Sequence, residues 1–166
     1  MKSSFEIERK FLIEYPDMAN FEQMGAVRLD MVQTYLKSEE GTTSRVRMIK
    51  SQDKVCYVYT YKKRISMIKC IEEEKDISKD EYERLLQEAD KSLRPIEKVR
   101  YKLPFGEHVY EIDIYPFWKN KAVMEVEIDS EEEEFQIPPM VKIIKEVTQD
   151  VRYKNFSLAS GNVPED

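Results

Sequence analysis

The feature that most constrains this chain is a two-residue alternation of charged and apolar side chains. It is first seen in FEIERKF, residues 5–11, where Glu6, Glu8 and Lys10 alternate with Phe5, Ile7, Arg9 and Phe11. Successive side chains of a β-strand point to opposite faces, so this spacing makes one charged face and one mostly apolar face. The pattern returns in SRVRM, where Arg45 and Arg47 flank Val46, and in VYTYK, where Lys62 shares a face with Thr60 and Val58. In CIEEEKDI, Glu72 and Glu74 oppose Ile71 and Ile77, although Glu73 and Lys75 blur the alternation. In EKVRYKL, Lys98 and Arg100 oppose Val99, Tyr101 and Leu103. YEIDIY sets Glu111 and Asp113 against Tyr110, Ile112 and Ile114, and MEVEI sets Glu125 and Glu127 against Met124, Val126 and Ile128.

Around these segments the period stays near two. Candidate strands are 4–12, 27–37, 44–50, 54–62, 68–77, 96–103, 108–115 and 121–129, with EEGTTS, SQDK and PFGEH as turns between some of them. A short helix fits 16–24. SKDEYERLLQEADKSL reads as a helix, with Ser78 as N-cap and Glu81 completing a capping box. PPMVKIIKEVT, 138–148, reads as another helix with proline at its start. The run at 130–134 is a solvated turn, and 1–3 and 160–166 are expected to fray. With 166 residues the chain is expected to form a single domain spanning 1–166, mainly antiparallel β with a few flanking helices.

Composition removes several function classes. A net charge of -6 disfavours nucleic acid and membrane surfaces as partners. Cys56 and Cys70 make no disulfide framework, and no apolar run reaches a membrane span or a signal peptide, so a cytoplasmic protein is expected. There is no GxxxxGK phosphate loop. The only histidine is His108, beside a turn, which leaves nothing for Ser-His-Asp or Cys-His catalysis.

One antiparallel sheet with a wet face would explain any single segment. The set is harder to explain that way, because the charges are segregated by strand. A sheet closed into eight strands has a lumen just wide enough for side chains or one small ligand. With the charged faces inward, that lumen would hold Glu6, Glu8, Glu72, Glu74, Glu111, Asp113, Glu125 and Glu127 against Lys10, Arg45, Arg47, Lys62, Lys98 and Arg100. Carboxylates two residues apart on a strand are roughly 7 Å apart and repel by about 2 kcal/mol at an effective dielectric of 20. Several such pairs rival a domain's stability of about 5–15 kcal/mol. Two readings answer that cost. One is an internal salt-bridge network, which carries a desolvation penalty. The other is a ligand pair: Mg²⁺ or Mn²⁺ on the oxygen ligands, and a polyphosphate on the Arg forks and Lys charges.

These residues resemble the CYTH superfamily, the triphosphate tunnel metalloenzymes. EIERK matches the family's ExExK at Glu6, Glu8 and Lys10. VQTYL, RVR, TYK, EEE, EKVRY, YEIDIY, EVEI and KEVTQDVRYKNFSLA follow in the family's order, from residue 5 to 159. The resemblance implies an eight-stranded antiparallel β-barrel tunnel with a charged lumen, and metal-dependent hydrolysis of a triphosphate. It implies Glu6, Glu8, Asp113, Glu125 and Glu127 as metal ligands, and Lys10, Arg45, Arg47, Lys62, Lys98, Arg100 and Arg152 on the substrate. Glu6, Glu8, Lys10 and Glu127 would be catalytic, and Glu72, Glu74 and Glu111 a further acidic wall. Asp150, Arg152 and Tyr153 would close one tunnel end or serve as a packing motif. Where the family often carries a basic residue, Cys70 stands here beside Lys69; either a bulge turns Lys69 inward or one phosphate contact is absent. Inorganic tripolyphosphate is the expected substrate. The alternatives are a nucleoside or thiamine triphosphatase, a class IV adenylate cyclase, and a non-catalytic polyphosphate-binding module. Apolar outer faces are compatible with a homodimer.

Overall fold

The computed structural model describes residues 2–165. Nine strands form one sheet: β1 Lys2–Glu14, β2 Val27–Leu36, β3 Thr42–Ser51, β4 Lys54–Arg64, β5 Lys69–Ile77, β6 Ile96–Phe105, β7 His108–Ile114, β8 Lys121–Ile128 and β9 Ile143–Glu146. The order β5-β4-β3-β2-β6-β7-β8-β1 closes on itself because β1 also pairs with β5, giving an antiparallel barrel of eight strands. Three helices flank it: α1 Met18–Gln23, α2 Lys79–Leu85 and α3 Asn155–Ala159. All eight strands expected from the alternation are present.

The apolar stripe packs outward. Phe11 and Ile13 of β1, Tyr101 and Leu103 of β6, Ile112 and Ile114 of β7, and Met124 and Val126 of β8 form one buried cluster outside the barrel wall. Phe21 of α1 covers it, with its ring 5.6 Å from that of Tyr101. On the other side Tyr82 of α2 packs on Tyr57 of β4 at 4.8 Å. Ser78 caps α2, accepting from the Glu81 amide at 3.1 Å. The carboxylate of Glu81 pairs with Lys75 and Arg84.

The segment 138–148 is a correction. It is not a helix; it turns at Pro138 and runs on as β9 against Phe11–Ile13 of β1. Val141, Ile143, Ile144, Val147 and Thr148 are β-branched and favour extended backbone. β1 leaves them an edge to fill: β5 pairs with it only as far as Ile7, and beyond that point β9 pairs on past Phe11. The Val147 amide donates to the Lys10 carbonyl at 2.8 Å, continuing that ladder. The C-terminal stretch makes two contacts with the body of the fold. The Trp118 indole donates to the Pro164 carbonyl at 2.9 Å, and Val163 packs on the adjoining cluster.

At one end the inner face changes character. Two residues beyond Lys10, Asp113 and Glu125 along the inward direction lie Leu12, Tyr115 and Val123. They bury against Tyr153, Leu158 and Ala159, so the C-terminal segment plugs that end of the barrel.

Candidate functional site

Strand register builds the site. Residues directly opposite one another share a face. β1 against β8 sets Glu8 opposite Glu127 and Lys10 opposite Glu125, and β7 against β8 sets Glu111 opposite Glu125. β4 against β5 sets Lys62 opposite Glu72, and β6 against β7 sets Arg100 opposite Asp113 and Lys102 opposite Glu111. The result is an acidic wall on β5, β1, β8 and β7, facing a basic wall of Arg45 and Arg47 on β3, Lys62 on β4 and Arg100 on β6. Between them is a chamber of about 230 Å³.

Most of the expected residues are brought together there. Glu6, Glu8, Arg45, Arg47, Lys62, Glu72, Glu74, Arg100, Glu111, Glu125 and Glu127 all line the chamber. Lys10 is buried at its inner end, with Nζ 3.2 Å from Glu125 and donating to the Tyr153 carbonyl at 3.3 Å. Two residues stand behind the wall. Asp113 is fully buried and accepts from Arg100 Nε at 2.7 Å, Arg100 Nη2 at 2.9 Å and Lys98 Nζ at 2.9 Å. Both its oxygens are therefore occupied by cations, and Lys98 and Asp113 together fix the guanidinium of Arg100. Arg152 is not in the chamber; it is exposed and grips Asp150 through Nε and Nη2. Of the three residues expected at a tunnel end, Tyr153 lies in the plug, whereas Asp150 and Arg152 stay at the surface.

Lys69 does not turn inward. Its ammonium lies 4.6 Å over the Phe5 ring on the outside, and the buried Cys70 takes the inner position with Sγ 3.8 Å from Glu6. At this position the wall carries a thiol in place of a cation.

The electrostatics follow from burial and like-charge crowding. Burial, then Glu125 and Glu6, push Glu8 up to about 8. Burial also raises Glu6 in spite of Lys62 at 2.8 Å, and raises Glu127 beside Glu6 and Glu111. Burial opposes ionisation of Glu125 and Asp113 too, but nearby cations win. Lys10, Arg100 and Lys98 hold Glu125 well below the carboxylate range, and Arg100 and Lys98 hold Asp113 at about 2. On the basic wall, burial and the neighbouring Arg45 and Arg100 lower Arg47 to about 9. Glu74 at 3.3 Å, and then Glu111, offset them in part. The buried Nε atoms of Arg45 and Arg47 have no hydrogen-bond partner among the described residues.

The carboxylates of the acidic wall are oxygen donors suited to a hard divalent ion. Among the described residues no three carboxyl, thiol or imidazole groups are already gathered as a coordination shell.

Several chamber residues escape a search for charged alternation. Lys102, two beyond Arg100, carried the signal. Asn155 of α3 carried none, and neither did Leu29, Met31 and Ile49, which with Val58 form an apolar patch on β2, β3 and β4. No helix is long and apolar enough to cross a membrane among the described residues.

No protein-family model matches the chain, and no curated protein does. Solved structures do. The inorganic triphosphatase NE1496 is 29% identical, with 93% of this chain and 94% of that one covered and a TM-score of 0.55. A second structure of NE1496, as a hypothetical protein, gives 28% identity over 96% and 99% at 0.56. These likenesses support the resemblance to the CYTH superfamily of triphosphate tunnel proteins. HpAC1 from Hippeastrum, an adenylyl cyclase candidate with a dominant triphosphatase activity, shares the fold at 13% identity and a TM-score of 0.50, over 75% of this chain and 80% of that one.

Proposed function

We propose that this chain is a divalent-metal-dependent hydrolase of the CYTH type that splits inorganic tripolyphosphate into diphosphate and phosphate inside its chamber. The observation that carries this reading is the register, which, beside pairs of opposite sign, also sets carboxyl against carboxyl. Glu8 faces Glu127 and Glu111 faces Glu125 on one wall, while Arg45 and Arg47 crowd together on the other, where Arg47 pairs with Glu74. A structural salt-bridge network would alternate signs to offset repulsion. Segregated signs suit a cation on one side and a polyanion on the other. The likeness to an inorganic triphosphatase over nearly the whole chain supports the same choice. So does the size: about 230 Å³ is below the usual range for drug-sized ligands and suits a compact one.

Glu6, Glu8, Glu125 and Glu127 would hold Mg²⁺ or Mn²⁺, which would supply Lewis-acid charge at the phosphate oxygens. Arg45, Arg47, Lys62, Lys10 and Arg100 bind and orient the phosphate chain and offset the charge that develops as it breaks. In the free protein these cations are partly spent on Glu6, Glu72, Glu74, Glu111 and Asp113, so substrate oxygens take over from carboxylates. Lys98 and Asp113 are positioning residues, holding Arg100 at its angle. Water attacks the terminal phosphorus and gives up a proton to solvent, the bridging P–O bond breaks, and diphosphate leaves with the electron pair.

Phosphate release from tripolyphosphate, ATP and thiamine triphosphate, with Mg²⁺ or Mn²⁺ and an EDTA control, tests the reading. Fast EDTA-sensitive release from tripolyphosphate is expected. The apolar patch of Leu29, Met31, Ile49 and Val58 favours an organic triphosphate as the second reading. Faster release from ATP or thiamine triphosphate, or cyclic nucleotide formed from ATP, would shift the assignment there.

A further inference from the structure

At the plugged end a second space opens beyond the chamber. Lys62, Arg64 and Lys154 line a narrow polar neck of about 30 Å³ and also an outer hollow of about 430 Å³, between the β2–β3 turn and α3. The neck joins Lys10 and these three cations with Glu6 and Glu8. Lys62 is committed to Glu6 and Glu72. Arg64 spends Nη1 on the Ser66 and Met67 carbonyls, which leaves other N–H groups on its fork. Lys154 is half-buried, and its ammonium has no hydrogen bond or ion pair among the described residues. Burial, then Arg64 and Lys10, press its pKa down to about 8 against the opposing pull of Glu8 and Glu125. The outer rim carries Glu39, Glu40 and Asp90, the last hydrogen-bonded to Ser92.

The opposite mouth is strongly acidic. Beyond Glu111 and Glu127 it is lined by Glu107, Asp129, Glu133 and Glu134. A polyanion is repelled there and drawn to the neck.

We propose that the hollow at the plugged end is a phosphate site, in which Lys154 and Arg64 take a phosphate dianion. That dianion is either orthophosphate on its way out of the chamber or the end group of a polyphosphate longer than three phosphates. The site itself needs only the geometry; its part in product release rests on the proposed hydrolysis.

The test is calorimetric titration in EDTA with orthophosphate, tripolyphosphate and a long-chain polyphosphate. Wild type is compared with Lys154→Gln, Arg64→Gln and Lys154→Arg, each first checked for an unchanged thermal midpoint. Losing one charged contact should weaken orthophosphate about tenfold or more in both Gln variants, with Lys154→Arg restoring it. Weakening of the long chain alone would assign the end-group role. Unchanged affinity for both probes in both Gln variants overturns the site. A chain that hydrolysed no triphosphate yet bound phosphate in this variant-sensitive way would overturn the reaction and keep the site.

Discussion

At the residue scale, Glu8 shows how surroundings decide the chemistry of a side chain. Its sequence signature is shared with Glu125, and both lie on the same wall. Lys10 and Arg100 keep Glu125 ionised, whereas burial and two neighbouring carboxyls leave Glu8 titrating near 8. The alternation revealed that both face inward, since period two is a property of the backbone. It did not reveal that they differ, because that depends on which strands become neighbours. The same holds for Asp113 and Lys98, which look like lumen residues and end up bracing Arg100. A pH prediction follows. A carboxyl whose folded pKa is raised favours the fold fully below its unfolded value of about 4.3 and loses that contribution as pH rises through the folded value. In EDTA the thermal midpoint should therefore fall between about pH 4.5 and 8, and Glu8→Gln should flatten that fall. Asp113, held at about 2, contributes a constant across this window. A Glu8→Gln protein with the wild-type slope would show that Glu8 does not carry the titration. With metal and tripolyphosphate, the same variant should lose turnover; full turnover would remove it from the ion-holding set. Arg47→Gln should lower kcat by about 10²–10³, the loss expected for one electrostatic donor.

At the element scale, legibility tracked how local the determinant was. The eight barrel strands and the Ser78 cap depend on spacing within ten or so residues, and these came through. The segment 138–148 did not. Its apolar positions fit a helical stripe, but its conformation was decided by an open edge of β1 more than a hundred residues away in sequence. Leu12, Tyr115 and Val123 likewise broke the rule of charge inside, because the plug of Tyr153 and Leu158 gives them an apolar partner at that end. Leu158→Ala should cost about 2–5 kcal/mol in denaturant unfolding, the range for a buried leucine. Ser78→Ala should cost about 1 kcal/mol and leave phosphate release unchanged, since α2 packs on the outside of β4. An equal loss of activity in both variants would mean that the barrel wall transmits strain from α2 to the chamber.

At the scale of the whole molecule, the barrel is stable in the wrong place to be only a scaffold. Its apolar cores lie outside the wall and at the plug, and the lumen is left with repulsion that internal pairs only partly offset. Ligands that bind the folded state alone stabilise it by about 2.7 kcal/mol at a hundredfold excess over Kd. For a chain of this length each 1 kcal/mol raises the midpoint by roughly 2–4 °C. Mg²⁺ and tripolyphosphate should each raise the thermal midpoint alone, the first by relieving Glu6, Glu8, Glu125 and Glu127, the second by relieving Arg45, Arg47 and Lys62. Added together they should exceed the sum of the single shifts, because each then lies against a charge of opposite sign as well as its own wall. EDTA should remove the metal's part and leave the anion's. Shifts that merely add would place the two ligands in separate sites, and the chamber would then bind one of them without presenting it to the other.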